Sequence, residues 1–311
     1  MDDSTLQSVL HPAPGSGSAL LGQLGTVMYV GAAIIFLVVI ALVIHAVLSG
    51  RKPADARKWV IGGGLVFPVI ALSALLVYSI SIGKALERRA SDHTLRIRVT
   101  GKQWWWEVRY ELPGSTPSIV LANEVHVPVG RPMHVELATD DVIHSFWVPA
   151  LAGKVDMIPG RTNHLVLNVA EPGIHRGQCA EYCGGQHAFM ALYVIAESPE
   201  EFADWLERQS QPVSMPTDPF LRTGYEMFFA GGCDDCHAVR GTPATATLGP
   251  DLTHVGSRYS LGAGMLRNHI GTMAGWIAGT QDVKPGSFMP SMNVYTGQEL
   301  RALSAWLESL E

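Results

Sequence analysis

Two long stretches without formal charge constrain this chain more than any other feature. From Leu21 to Gly50 no Asp, Glu, Lys or Arg occurs, and His45 is the one side chain there that protonation could charge; from Val60 to Gly83 there is none. A helix needs about 20 consecutive apolar residues to cross a bilayer core, and average globular helices are roughly half that long. The two stretches therefore predict a transmembrane hairpin, with helices over about 21–49 and 59–83. They also explain a composition of 47% apolar and 16% charged residues, which leans toward a membrane protein. The intervening segment carries Arg51, Lys52, Arg57 and Lys58 against Asp55 alone, whereas the N-terminal tail carries Asp2 and Asp3 and no Lys or Arg. Positive-inside bias puts the hairpin loop in the cytoplasm, with Lys84, Arg88 and Arg89 weakening the contrast slightly. Everything beyond residue 90 then faces the oxidising side. No basic segment precedes the first apolar run, so Met1 does not begin a typical signal peptide. A net charge of −6 gives no hint of nucleic-acid binding.

Past residue 90 the pattern changes to alternation. Leu95, Ile97 and Val99 interleave with Arg96, Arg98 and Thr100; Met133, Val135 and Leu137 interleave with His134 and Glu136; Leu165, Leu167 and Val169 repeat the pattern, and Ala191–Ile195 is a short apolar run. Short strands separated by Gly, Pro, Asn and Asp predict a β-sandwich or barrel. Helical spacing begins at Ser198, where SPEE offers an N-cap, Pro at N1 and Glu at N3 ahead of Phe202, Trp205 and Leu206. Residues 209–219 (QSQPVSMPTDP) read as a linker. The remainder is helical and loop-rich. Its last helix starts at Thr296, with Glu299 completing a capping box and Leu300, Leu303, Leu307 and Leu310 on one face. The expected division is a tail over 1–20, a hairpin over 21–90, a β domain over 91–208, a linker over 209–219 and a small α domain over 220–311.

All four cysteines lie in two short stretches, so no structural disulfide is expected. The first chemistry-bearing stretch in the α domain is CDDCH at 233–237. Cys-x-x-Cys-His is the attachment signature of c-type haem: Cys233 and Cys236 would add to the vinyl groups, and His237 would reach the iron. A redox dithiol needs no adjacent His, and a zinc site needs a further cysteine pair that is absent after 237. The second axial ligand is usually Met or His. His254, His269, Met265, Met273, Met289 and Met292 are candidates, and Met289 in KPGSFMP is favoured over Met292 because a Pro/Gly loop can hold a thioether over the haem. Gly249 and Pro250 lie in a segment able to pack behind His237.

The other stretch, CAEYCGGQHAFM at 179–190, holds two cysteines, a histidine and a methionine. A mononuclear blue-copper site uses one Cys, two His and a weak Met and would leave one thiolate idle. Two thiolates can instead bridge two copper ions, each also needing one imidazole and one weak ligand. Cys179, Cys183 and His187 supply part of this set, Met190 one weak ligand and a loop carbonyl, most simply that of Glu181, the other. His144 in DDVIHSFWVP is the best second imidazole. A zinc site on Cys and His has no use for Met190, and a copper-delivery protein with a Cys-x₃-Cys pair leaves the following His and Met unexplained. His126, His134, His164 and His175 read as structural.

These features resemble subunit II of the haem–copper cytochrome c oxidases. GKQWWWEVRYE, DVIHSFWVP, KVDMIPGRTN and GQCAEYCGGQHAFM look like that family's motifs over about residues 20–205. GGCDDCHAVRGT, LGPDLTHVGSR and KPGSFMP look like the cytochrome c domain fused to the C-terminus in one of its branches. The resemblance implies a multidomain membrane protein in which a cupredoxin-type β-sandwich carries the dinuclear CuA centre and an all-α class I cytochrome c domain carries haem c. It implies CuA ligands at His144, Cys179, the Glu181 carbonyl, Cys183, His187 and Met190, with the Glu181 side chain on a Mg²⁺ shared with subunit I. It implies an electron-input patch at Trp104 and Trp105; strand alternation would send Trp104 and Trp106 to one face and Trp105 to the other. Implied partners are subunits I and III, a cytochrome c donor and membrane lipid, in a bacterial inner membrane with both domains on the periplasmic side. Some members have an acidic residue near the cytoplasmic end of the second helix; here Asp55 is the nearest carboxylate, and no proton-uptake role carries over to it. The expected function is electron input to a proton-pumping oxidase whose oxygen-reducing site lies on another chain. Alternatives are a CuA-containing nitric oxide reductase subunit and a membrane-anchored copper-delivery protein; a quinol oxidase subunit is disfavoured by the intact copper and haem motifs.

Overall fold

The computed structural model describes residues 10–50, 55–87, 96–111 and 119–311. Leu95, Asp2, Asp3, Arg51, Lys52, Arg88 and Arg89, used above for strand pattern and orientation, lie outside the described residues.

The first charge-free stretch is one helix, α1 (Gly17–Ser49). Ser16 starts it by accepting from the Ala19 amide, and Gly50 at φ 60° ends it, as a left-handed C-terminal residue should. The second stretch is continuous but changes its winding. Asp55 caps a single turn, α2 (Ala56–Lys58), a π-helix follows over Trp59–Val66, and α3 runs from Phe67 to Glu87. The Phe67 amide reaches back five residues to the Gly62 carbonyl, at the first of three consecutive glycines. Both helices are long and apolar enough to cross a membrane. Phe36, Leu37, Val43, Leu72 and Val77 on them face outward, which water would penalise and lipid would not.

The start of α1 is fastened to the β domain. Ala13 N donates to Ala150 O (2.8 Å), Ser18 Oγ to Pro149 O (2.8 Å), and Asn168 Nδ2 to Gly15 O (2.8 Å). These bonds put the first end of the hairpin and the β domain on the same side.

The β domain packs two five-stranded sheets. One is ordered β3 (Ile119–Ala122), β2 (Trp105–Glu111), β1 (Arg96–Lys102), β5 (Met133–Thr139), β8 (Asn163–Leu167). The other is β4 (Glu124–Pro128), β10 (Ala191–Glu197), β9 (Gly173–Cys179), β6 (His144–Trp147), β7 (Val155–Met157). Most pairs are antiparallel; β1 with β5 and β4 with β10 are parallel. Alternation does the sorting: Ile97, Val99, Met133, Val135, Leu137 and Leu167 enter one core with Trp106, Tyr110 and Phe146. Removing a side chain as large as Trp106 from such a core costs about 3–5 kcal/mol. The expected helix is α4 (Pro199–Ser210), opened by a complete Ser198–Glu201 capping box. It lays Trp205 against Tyr110 at 5.2 Å and parallel to the His126 ring at 4.0 Å.

After an extended segment, the C-terminal domain comprises α5 (Pro219–Ala230), α6 (Ile270–Ala278), a short α7 (Thr280–Val283) and α8 (Gly297–Glu308), with a two-residue ribbon of β11 (Ser260–Leu261) and β12 (Leu266–Arg267). Thr296 and Glu299 form the second capping box. Leu303 and Leu307 are buried with Trp306 and Phe228. The helices α5 and α8 cross closely at Gly224, where a Cβ would lie 2.1 Å from the Ala302 carbonyl oxygen.

His126 lies beneath α4 between two carboxylates, 3.1 Å from Glu197 and 3.6 Å from Glu124. Burial opposes its charged form, but the two carboxylate bonds outweigh burial and raise its pKa. The stabilisation is complete below the free-imidazole value near 6.5 and is lost as pH rises through the raised value. The melting temperature of the β domain should therefore fall with rising pH above neutrality, and in His126→Gln this dependence should flatten. Thermal melts of both proteins between mildly acidic and alkaline pH check it.

Candidate metal centres

The loop between β9 and β10 is closed by the sheet itself. Cys179 ends β9 opposite Phe146 of β6, and its amide donates to Met190 O (2.9 Å), while Ala180 N donates to Ser145 O (3.0 Å). His144 opens the neighbouring β6, and His187 sits in a single 3₁₀ turn, His187–Phe189. Three adjacent strand ends thus bring together residues spread over 144–190.

Their donor atoms converge. Cys179 Sγ and Cys183 Sγ are 3.7 Å apart. His144 Nδ1 lies 3.8 Å from Cys179 Sγ and His187 Nδ1 3.6 Å from Cys183 Sγ. Met190 Sδ is 3.8 Å from Cys183 Sγ, and the Glu181 carbonyl oxygen 3.2 Å from Cys179 Sγ. His144, Cys179 and Cys183 are buried and form a group whose ligand atoms lie within 4.8 Å of one another.

The set suits a pair of soft cations. The hydrogen bond between the thiols holds Cys179 well below the usual thiol range, and the same neighbour pushes Cys183 up. Full deprotonation of both sulfurs calls for positive charge between them. The imidazole is oriented for the same purpose: His144 Nε2 lies 2.7 Å from Asp141 Oδ1. A carboxylate accepts there, which leaves the Nδ1 lone pair facing the sulfur. Trp106 closes the site from behind, its ring 6.1 Å from that of His144. Asp141 had no signal in the sequence beyond standing three residues before His144.

The tryptophan run does not alternate throughout. β1 ends at Lys102 and β2 begins at Trp105, so Trp104 belongs to the connecting turn rather than to a strand, and strand parity does not apply to it. Its indole Nε1 donates to the Cys183 carbonyl (3.0 Å), and the neighbouring Gln103 Nε2 reaches the same oxygen (2.7 Å). Trp105 is half-buried under the Lys102 ammonium, 5.3 Å from the ring centroid, and Trp106 is fully buried. The Glu181 side chain pairs with Lys154 (3.3 Å). On the outer face His134 and His164 stack at 4.9 Å beside Glu136.

In the C-terminal domain Cys233 and Cys236 lie on one 3₁₀ turn after Gly232, with His237 N bonded back to Cys233 O (3.0 Å). His237 Nδ1 lies 2.7 Å from Pro250 O. A carbonyl only accepts, so the proton is on Nδ1 and the Nε2 lone pair is free for a metal. Burial lowers the His237 pKa, which keeps the ring neutral. Gly249 permits this packing, because a Cβ there would lie 2.6 Å from His237 Cε1. Met289 and Met292 both pack against the domain core, and Gln281 Nε2 holds the Met289 carbonyl (2.7 Å). The donor set, one imidazole of fixed tautomer, two thiols on one turn and thioethers in the same core, fits a covalently held haem.

A membrane-anchored, cupredoxin-like β domain with a two-cysteine copper loop, continued by a helical domain of c-type cytochrome character, defines the class. Residues 112–197 match the family described as cytochrome c oxidase subunit II, periplasmic domain, and residues 221–311 match cytochrome c. Cytochrome c oxidase subunit 2 of Alkalihalophilus pseudofirmus is 37% identical over 297 residues, covering 89% of this chain and 85% of that protein. The subunit 2 of Bacillus subtilis is 28% identical over 257 residues, covering 79% and 70%. The periplasmic domain of subunit II of Bradyrhizobium japonicum cytochrome oxidase is 34% identical, covering 38% of this chain and 94% of that one at a TM-score of 0.35. The chain belongs to the cytochrome c oxidase subunit II family, in a form with a C-terminal cytochrome c domain. It is part of an oxidoreductase complex, its first domain implying CuA copper and its second haem.

Gly249→Ala should leave the thioether attachment intact and displace His237. A haem-stained denaturing gel should stay positive while the low-spin absorption bands weaken or vanish.

Proposed function

We propose that this chain is the electron-input subunit of a proton-pumping cytochrome c oxidase, passing electrons from an external cytochrome c through its haem c to CuA and on to subunit I, where O₂ is reduced to water. The observation that carries this is the pair of sulfurs 3.7 Å apart flanked by two imidazole Nδ1 atoms and a thioether, on the same chain as a Cys-x-x-Cys-His turn. When bound, the two coppers and the haem iron supply sites that gain and lose single electrons with little change in bonding.

The chain's residues hold and shield those sites. Cys179, Cys183, His144, His187, Met190 and the Glu181 carbonyl would together hold the two coppers. Asp141 fixes the His144 tautomer. Trp106 and Phe146 exclude water from behind, lowering the local dielectric and sharpening each charge effect. Cys233 and Cys236 would attach the haem, and His237 and Met289 would hold its iron. Trp104, joined to the copper loop by its bond to Cys183 O, and Trp105 would form the input patch. The Glu181 carboxylate would turn from Lys154 toward a Mg²⁺ shared with subunit I. The domain division read from the sequence belongs to the same reading: tail, hairpin, CuA domain over 91–208, linker, and cytochrome domain over 220–311. So do a double crossing of a bacterial inner membrane with the hairpin loop in the cytoplasm, and contacts with subunits I and III, lipid and a cytochrome c donor.

Metal analysis of the purified oxidase subunit should find two coppers and one haem per chain, with a mixed-valence copper signal in the EPR spectrum. Cys183→Ser should abolish that signal and turnover with cytochrome c while leaving the haem α-band. Met190→Leu should keep copper bound and shift its potential. Zinc at the loop, or an unchanged copper signal in Cys183→Ser, would contradict the reading.

A further inference from the structure

The two domains exchange one buried charge each. Lys284, on the loop that carries Met289, is only 3% exposed. Its ammonium leaves its own domain and donates to Trp104 O (2.7 Å) and Phe189 O (2.8 Å) of the β domain, and to Gly262 O (3.0 Å) of its own. A lysine has three donors, and all three are used. Burial lowers its pKa to about 7, with the nearby Cys183 sulfur acting against that shift. In the other direction Glu124, on β4 and 2% exposed, accepts from the amides of Tyr259 (2.5 Å) and Ser260 (3.4 Å). Between these points Ala191 N donates to Ala263 O (3.0 Å), Gln186 Nε2 to Pro285 O (2.8 Å), and the rings of Tyr193 and Tyr259 meet at 4.7 Å.

The location of these bonds matters more than their number. Trp104 is the residue whose indole holds the Cys183 carbonyl, and Phe189 stands between His187 and Met190. Lys284 therefore ties the Met289 loop to the Trp104 turn and to the His187–Met190 segment of the copper loop. Three carbonyls from two domains converge on one point that no apolar side chain could satisfy. Leaving them buried without a donor costs each carbonyl its full desolvation penalty, more than the net worth of the bond it loses.

We propose that Lys284, seconded by Glu124, is a positioning residue that latches the cytochrome domain onto the copper loop and fixes the pair in one orientation for electron transfer. This rests on the reading that the two domains carry haem c and CuA. The latch sets the approach of the two centres and leaves each centre's own ligands untouched.

The test uses the full-length chain in the assembled oxidase. A light pulse on a ruthenium polypyridyl photoreductant delivers one electron to the haem, and its reoxidation is followed at the α-band together with the near-infrared copper band. Lys284→Met keeps most of the length of the side chain and removes its three donors. Its haem and copper spectra should match the wild type, while transfer between the centres, compared at equal driving force from the measured potentials, slows severalfold. A transfer rate equal to that of the wild type overturns the latch. Absence of the haem or dinuclear copper signal from the wild type would instead defeat the functional reading itself. Hydrogen exchange on the wild-type oxidase gives a second measurement that needs no variant. The Tyr259, Ser260 and Ala191 amides should be protected to the level of β10, and exchange at the rate of open loops overturns the latch.

Discussion

Two sulfur atoms held 3.7 Å apart in a buried loop set the terms for the rest of the molecule. Unit charges about 4 Å apart interact by about 4 kcal/mol at an effective dielectric of 20, so both thiols cannot ionise unaided. The thiols respond by splitting: Cys179 is held down and Cys183 pushed up. Cations between them remove the conflict, and the neighbouring groups are arranged accordingly. The two imidazoles present Nδ1, one thioether stands at contact distance, and a main-chain carbonyl is aimed at Cys179. Soft donors with weak flanking ligands suit copper.

That arrangement needs a frame that does not move when charge arrives or leaves. The β9–β10 ladder closes the loop at Cys179 and Met190, the β6 edge fixes Ala180, and Trp104 and Gln103 both grip the Cys183 carbonyl. The aromatic core is continuous with this frame, because Trp106 touches both Phe146 and His144. The strands that bury Ile97 and Val135 are therefore the same ones that aim the ligands. The haem side follows a similar logic with less sheet and more loop: a proline carbonyl sets the His237 tautomer, and a glycine makes room for the ring.

Much of this was legible in the sequence because it depends on local spacing. Charge-free length gives the helices, alternation gives the strands, Ser198 and Thr296 with their glutamates give two helix starts, and the cysteine spacings give two metal chemistries. The parts that were not legible depend on contacts distant in sequence or on turn geometry. Trp104 lies in a turn, where parity says nothing about which way a ring points. Asp141 has value only through the position of the His144 ring. Lys284 and Glu124 look like ordinary surface charges until the partner domain's backbone is in place. The π-helical winding at Trp59–Val66 has three glycines as its local signal, and these permit it without requiring it.

The segment joining the domains shows why a tether alone is not enough. Between α4 and α5 lie the residues 211–218, and eight residues of free coil would span roughly 16 Å. A link of that length gives a millimolar effective concentration and so removes the diffusional search. It does nothing for orientation, because a tethered domain can still present any face. Electron transfer between fixed sites depends on which faces meet, and the polar exchange at Lys284 and Glu124 is directional where apolar contact is not. Here Val213 N is itself bonded to Arg240 O, so the connecting segment lies along the cytochrome domain and is not a free arm. The fusion thus solves two separate problems with two separate devices: the covalent chain supplies proximity, and buried charges paired with the other domain's backbone supply alignment.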